Sequence, residues 1–89
     1  MDIEELKNYL KVDNDEDNEL IESLHVAAEE YLANIGVSVN YEKKLYVLAI
    51  KMLVSHWYEN RMIHSKKARA KLSFGLDSII LQLKLPTET

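Results

Sequence analysis

The sequence predicts an all-α protein, a small bundle of about four helices over residues 3–10, 16–35, 41–61 and 76–85. Apolar residues recur every three to four positions along most of the chain, which is the spacing of one helix face. Leu, Ile, Glu and Lys are frequent, whereas the 89 residues include only two glycines and one proline. This composition favours helices over a turn-rich sheet protein.

The first two helices are bounded by recognisable caps. Asp2 is a suitable N-cap for the helix over 3–10, and Glu5, three residues later, completes a capping-box pattern. The second helix, over 16–35, carries acids near its positive N-terminus, where the helix dipole favours negative charge. Gly36 is expected to end it.

The third helix is predicted to be long and central. It runs over 41–61 with Asn40 as its cap, and it is apolar on most sides between residues 45 and 58. A helix of this kind must be covered on several sides. Because so short a chain has few helices to cover it, part of this surface is a candidate contact for a neighbouring subunit.

The last helix, over 76–85, is expected to end at Pro86. Residues 62–75 before it are polar and basic, and they are interpreted as a loop, with a short helical stretch as the alternative. We therefore expect a single helical domain over 1–86 followed by a flexible tail, 87–89.

Charge is divided unequally between the two halves of the chain. Residues 1–42 hold twelve acids and two lysines, a balance of −10, whereas residues 43–89 hold nine bases and three acids, a balance of +6. Bases concentrate in residues 61–71, the basic segment, which contains no acid. The segment is either a solvated loop or a cationic strip that faces nucleic acid or an acidic neighbour.

No pattern in the chain indicates catalysis. There is no cysteine, and His25, His56 and His64 lack the spacing of metal ligands. No serine lies in a nucleophile-elbow context and no glycine-rich phosphate loop is present. The longest apolar run, 45–50, is far too short to span a bilayer. We expect a soluble intracellular protein that is not an enzyme and that needs no metal or cofactor.

Five stretches, in this order, resemble the phage head–tail connector (adaptor) family, of the small all-helical DNA-packaging or head-completion type. They are Ile3-Glu4-Glu5-Leu6-Lys7-Asn8-Tyr9-Leu10 with Asp13 to Asp17, Leu20-Ile21-Glu22-Ser23-Leu24, Ala27-Ala28-Glu29-Glu30-Tyr31-Leu32, Leu53-Val54-Ser55-His56-Trp57-Tyr58-Glu59-Asn60-Arg61, and Phe74-Gly75-Leu76-Asp77-Ser78-Ile79-Ile80-Leu81-Gln82-Leu83. The last two stretches together are the most specific part of this resemblance, which covers nearly the whole chain.

The resemblance implies a structural role at the virion head–tail junction of a tailed phage or prophage, with assembly in the bacterial host cytoplasm. Family members form a ring beneath the portal protein, extend the DNA channel, and provide a platform for the next head-completion or tail protein. DNA would pass through without sequence-specific binding. The resemblance implies neither catalysis nor a cofactor, and no membrane contact.

Two sets of residues are candidate contact sites. Trp57, Tyr58 and Arg61 are expected at or beside the subunit contact, because such residues are enriched in interface hot spots. The alternative is a core aromatic pair beside a surface arginine. The bases of the second set are expected to line the ring lumen, where they would meet DNA phosphates, or to reach the portal: Lys66, Lys67, Arg69 and Lys71.

A competing hypothesis is a free-standing helical interaction or regulatory protein that binds nucleic acid non-specifically through residues 61–71. Sequence-specific DNA reading is disfavoured. A recognition helix is polar and basic, whereas the third helix is apolar and the last one carries only Lys84.

Overall fold

The computed structural model describes residues 1–60 and 66–85, with side chains for 1–60 and 75–85. All secondary structure in this part of the chain is helical, which confirms the predicted all-α class. The predicted tail, 87–89, lies outside the described residues. The four helices are α1 (Ile3–Leu10), α2 (Asn18–Asn34), α3 (Lys44–Glu59) and α4 (Lys66–Lys84).

Helix α1 begins and ends as local rules require. Asp2 caps it, since its Oδ1 accepts a hydrogen bond of 3.1 Å from the Glu5 backbone N–H. Lys11 follows the helix in the left-handed conformation, with φ of 63°, and the Val12 N–H donates to the Lys7 carbonyl. This arrangement satisfies carbonyl groups in the last turn of α1.

Helix α2 ends where the sequence predicts. Gly36 has φ of +98°, a conformation that a glycine adopts without the steric cost of a Cβ. The Val37 N–H donates to the Leu32 carbonyl and the Gly36 N–H donates to the Ala33 carbonyl, which together make a Schellman motif. Leu32 and Val37 are both buried, so the turn also contributes to the core.

The predicted start of the third helix is wrong by three residues. Asn40 does not cap α3; its side-chain oxygen accepts from the Glu42 backbone N–H and makes a local turn instead. The helix begins at Lys44 after this turn. With 16 residues α3 is shorter than α2, with 17, and α4, with 19. The third helix is therefore strongly apolar, as predicted, but it is not long.

The predicted start of the last helix is wrong by ten residues. Residues 66–75 are helical and belong to α4, so most of the basic segment lies in a helix and not in a loop. This stretch consists mostly of Lys, Ala, Arg and Leu, which are all strong helix formers. The sequence analysis interpreted it as a loop because its composition is polar and basic. Gly75 lies inside the helix, and a Cβ added at this position would be at ordinary van der Waals distance from the terminal methyl group of Met52.

Helix α3 is central, as predicted. It packs on α1, α2 and α4, whereas α4 packs on α3 and on no other helix in the described part of the chain. The contribution of α3 to the core is five fully buried residues: Tyr46, Ala49, Ile50, Leu53 and Val54. The other three helices pack on this surface of α3 through buried side chains, among them Leu6, Ile21, Leu32 and Leu76. No helix in the described residues has the length and apolar character needed to cross a membrane.

Candidate functional site

Trp57 lies on the side of α3 that faces α2, where it is half-buried against the core. Its ring meets the Tyr31 ring edge to face, with the centroids 5.9 Å apart and the planes at 78°. Tyr31 is 39% exposed, so this aromatic pair reaches from the core to the molecular surface. Trp57 therefore has an internal packing role and, through Tyr31, contributes to an accessible aromatic surface.

Tyr58 joins the end of α3 to the start of α2. Its hydroxyl donates a hydrogen bond of 2.6 Å to Asp17 Oδ2, and Asp17 immediately precedes α2. A bond to a carboxylate is stronger than one between neutral groups, so Tyr58 helps to hold α2 and α3 together. Arg61, the third residue of the predicted subunit contact, lies outside the described residues.

The predicted basic residues are placed by their backbone alone. Lys66, Lys67, Arg69 and Lys71 belong to the first turns of α4, and their side chains lie outside the described part of the structure. Their helical setting differs from the predicted loop. Whether they face DNA or the portal stays a prediction.

A polar cluster between α2 and α3 was missed by sequence analysis. The Tyr41 hydroxyl donates to Glu29 Oε2, and His25 Nε2 lies 2.7 Å from the same hydroxyl oxygen. Burial raises the pKa of Tyr41, and the neighbouring Glu29 carboxylate raises it further because it disfavours a second negative charge. Tyr41 is 12 residues from Glu29 and 16 residues from His25 in the chain. Sequence analysis missed this cluster because no short sequence pattern predicts contacts between residues so far apart.

Tyr46 lies beside this cluster but takes no part in its hydrogen bonds. Its ring meets the Tyr41 ring edge to face at 5.1 Å, and burial raises the pKa of its hydroxyl. The hydroxyl is fully buried and has no hydrogen-bond partner in the described part of the chain. The two tyrosines therefore differ in what their hydroxyl groups contribute to stability.

An ion pair joins α1 to the segment that precedes α2. The Lys7 ammonium, on a nearly fully buried side chain, donates to Asp15 Oδ1 at 2.6 Å. The Lys7 partner lowers the pKa of Asp15, chiefly through the hydrogen bond and also through its charge. Among the described residues, no group of three His, Asp or Glu side chains is arranged to hold a metal ion.

The notable features of the described residues are therefore an accessible aromatic surface and the polar contacts that join the helices. An all-helical chain of this size with exposed aromatic and charged faces is typical of a small structural or interaction subunit. The chain belongs to the family of phage gp6-like head–tail connector proteins, whose family model matches residues 1–84. The resemblance seen in the sequence is thereby confirmed, and the protein is a phage structural connector. Comparisons with curated proteins and with solved structures returned no match.

Proposed function

We propose that this chain is a subunit of a homo-oligomeric ring that lies beneath the portal of a tailed phage or prophage. The ring extends the DNA channel and docks the next head-completion or tail protein, and the subunit has no catalytic role or cofactor. The observation that carries this proposal is the family match, which spans 84 of the 89 residues.

The charge distribution supports a ring. A closed ring of identical subunits needs a heterologous contact, in which one face of a subunit docks on a different face of the next. A chain with balances of −10 over residues 1–42 and +6 over residues 43–89 is suited to present surfaces of opposite sign for such a contact. Such complementarity favours the correct register and faster association more than it favours affinity.

The proposed subunit contact includes or adjoins Trp57, Tyr58 and Arg61. The half-buried Trp57 with its exposed neighbour Tyr31 supports this assignment, since large aromatic residues are frequent interface anchors. The test is Tyr31→Ala and, in parallel, Trp57→Ala, each followed by circular dichroism and by a portal-binding assay. A folded variant that no longer assembles supports the contact, whereas normal assembly of both folded variants contradicts it.

The basic residues Lys66, Lys67, Arg69 and Lys71 are proposed to face the ring lumen or the portal. A channel through which DNA slides should bind phosphates weakly, and the overall charge of −4 is compatible with passage. A variant with all four replaced by Gln keeps good helix formers in α4. Normal retention on portals together with normal DNA ejection would exclude an important role for these bases.

The ring itself is tested by purification with the portal protein of the same phage. We expect the chain to co-purify with portal rings and to add a layer to them in electron micrographs. Absence of that layer with an intact cognate portal would contradict the proposal. Salt-sensitive binding to DNA by the free chain, without portal binding, would instead favour the nucleic-acid-binding alternative.

A further inference from the structure

The polar cluster of His25, Glu29 and Tyr41 contains two hydrogen-bond contacts to one hydroxyl group. The Tyr41 hydroxyl carries a single hydrogen and donates it to Glu29 Oε2, since an ionised carboxylate can only accept. The same hydroxyl oxygen lies 2.7 Å from His25 Nε2, which is hydrogen-bond distance. Because the tyrosine has no second hydrogen for this contact, Nε2 is the atom that can supply one.

The opposite arrangement would place two hydrogen-bond acceptors in contact. If Nε2 were bare, the tyrosine hydrogen would turn toward the imidazole, and the hydroxyl oxygen would meet the Glu29 carboxylate with no hydrogen between them. The side chains of His25 and Glu29 are only 17% and 30% exposed, so little water is available to relieve that repulsion. Within the described residues, His25 Nδ1 has no hydrogen-bond partner that would favour a hydrogen there instead.

Tyr41 lies in the connection between α2 and α3, residues 35–43, and attaches it to both helices. Its ring meets the His25 ring of α2 edge to face, with the centroids 6.0 Å apart, and meets the Tyr46 ring of α3 in the same way at 5.1 Å. Among the described side-chain hydrogen bonds, only those of Tyr41 join this connection to α2. The hydroxyl contacts therefore control how firmly the connection is held.

Tyr41 also forms part of a groove of about 480 Å³ between α1 and α3. Tyr9 and Leu48, which are 43% and 38% exposed, line the same groove. His25 is not among the described residues that line it. A bond from His25 to Tyr41 therefore affects the shape of an accessible surface that His25 does not itself form.

We infer that His25 is a positioning residue: its Nε2–H donates to the Tyr41 oxygen while the Tyr41 O–H donates to Glu29, so that α2 holds the connection to α3 in place. The two bonds strengthen each other, because a donor to the hydroxyl oxygen polarises the O–H that bonds to the carboxylate. This inference is independent of the proposed ring, since it concerns contacts inside one chain.

The first test is heteronuclear NMR of the ¹⁵N-labelled chain at about pH 9, where an ordinary histidine is neutral. Imidazole spectra distinguish a ring nitrogen that carries a hydrogen from a bare one, and the signals of His25 are identified by their absence from a His25→Gln variant. We expect a hydrogen on Nε2 whose exchange with water is roughly tenfold faster in Tyr41→Phe, which lacks the acceptor. A bare Nε2, or equal exchange in the parent and Tyr41→Phe chains, would overturn the inference.

The second test separates hydrogen-bond donation from packing. His25→Gln keeps an N–H donor near the position of Nε2, whereas His25→Leu fills similar space without a donor. The backbone N–H groups of Glu42 and Lys43 bond to Asn40, beside Tyr41, and report opening of the connection. We expect them to exchange roughly tenfold faster in His25→Leu and near the parent rate in His25→Gln. Circular dichroism should show both variants folded. Equal exchange in the two variants would mean that donation from residue 25 has no positioning role.

Discussion

Helices α1–α3, the three-helix unit, are held together differently from α4. Polar contacts join every pair of neighbouring segments in the unit, as in the Lys7–Asp15 ion pair and the Tyr58–Asp17 hydrogen bond. None of the described side-chain hydrogen bonds or ion pairs involves residues 75–84, the part of α4 whose side chains are described, and this part packs on α3 through apolar side chains. The difference indicates that residues 75–84 of α4 are held by fewer kinds of contact than the three-helix unit, with exposed side chains such as Leu81 available to another molecule.

The largest expected effect is on the three-helix unit. Leu53→Ala removes a fully buried side chain from the centre of α3, so we expect it to lower the free energy of unfolding by about 2–5 kcal/mol. Chemical denaturation followed by circular dichroism measures the loss. The control Leu81→Ala changes an exposed leucine of α4 and should stay within about 0.5 kcal/mol of the parent. Equal losses would contradict the placement of these residues.

Leu76→Ala tests whether α4 is the less constrained element. Leu76 is buried against the core, but α3 is the one helix that α4 contacts among the described residues, so the loss should be about 2 kcal/mol and should fall mainly on α4. Native-state hydrogen exchange is the measurement, because it reports opening residue by residue. Amides of α4 should exchange faster than those of α3 in the parent chain, and the variant should widen that gap. Equal protection of the amides of α3 and α4 from exchange would contradict the conclusion that α4 is less constrained.

Tyr41 and Tyr46 allow a test of how much a hydroxyl hydrogen bond contributes to the stability of the three-helix unit. Tyr41→Phe removes the hydroxyl that donates to Glu29, and we expect a loss of about 1–2 kcal/mol. Tyr46→Phe removes a buried hydroxyl without a partner, so its effect should be neutral or slightly stabilising. Both variants keep the edge-to-face ring contact, so the difference in unfolding free energy isolates the hydroxyl groups. A larger loss from Tyr46→Phe would refute the assignment.

A smaller loss than that of Tyr41→Phe is expected for the ion pair between Lys7 and Asp15. Because Lys7 lowers the pKa of Asp15 in the folded state, the pair contributes its full stability above the ordinary aspartate pKa of about 4. That contribution is lost as the pH falls through the lowered folded-state pKa. Asp15→Asn should therefore be less stable than the parent near neutral pH, and the difference should shrink in acid. Urea unfolding at several pH values tests this, and a difference independent of pH would exclude the ion pair as its cause.

Local signals were sufficient for the helix boundaries that depend on local bonds. Asp2 caps α1 and Gly36 ends α2 as predicted, because each acts on backbone groups a few residues away. The start of α4 was missed because charged residues suit a loop and an exposed helix equally well. Asn40 was assigned the wrong role because an asparagine at a helix start and one in a local turn form the same kind of bond.

The sequence by itself determined the all-α class, the central position of the apolar third helix, the division of charge and membership of a connector family. These depend on periodicity and composition, which are properties of short windows of chain. Only the tertiary structure decided that Trp57 meets Tyr31, that Tyr41 bonds to Glu29, and that, among the helices as described, α4 packs only on α3. Such contacts join residues far apart in the chain, so they exist only once packing has selected which surfaces meet and which stay free for a partner.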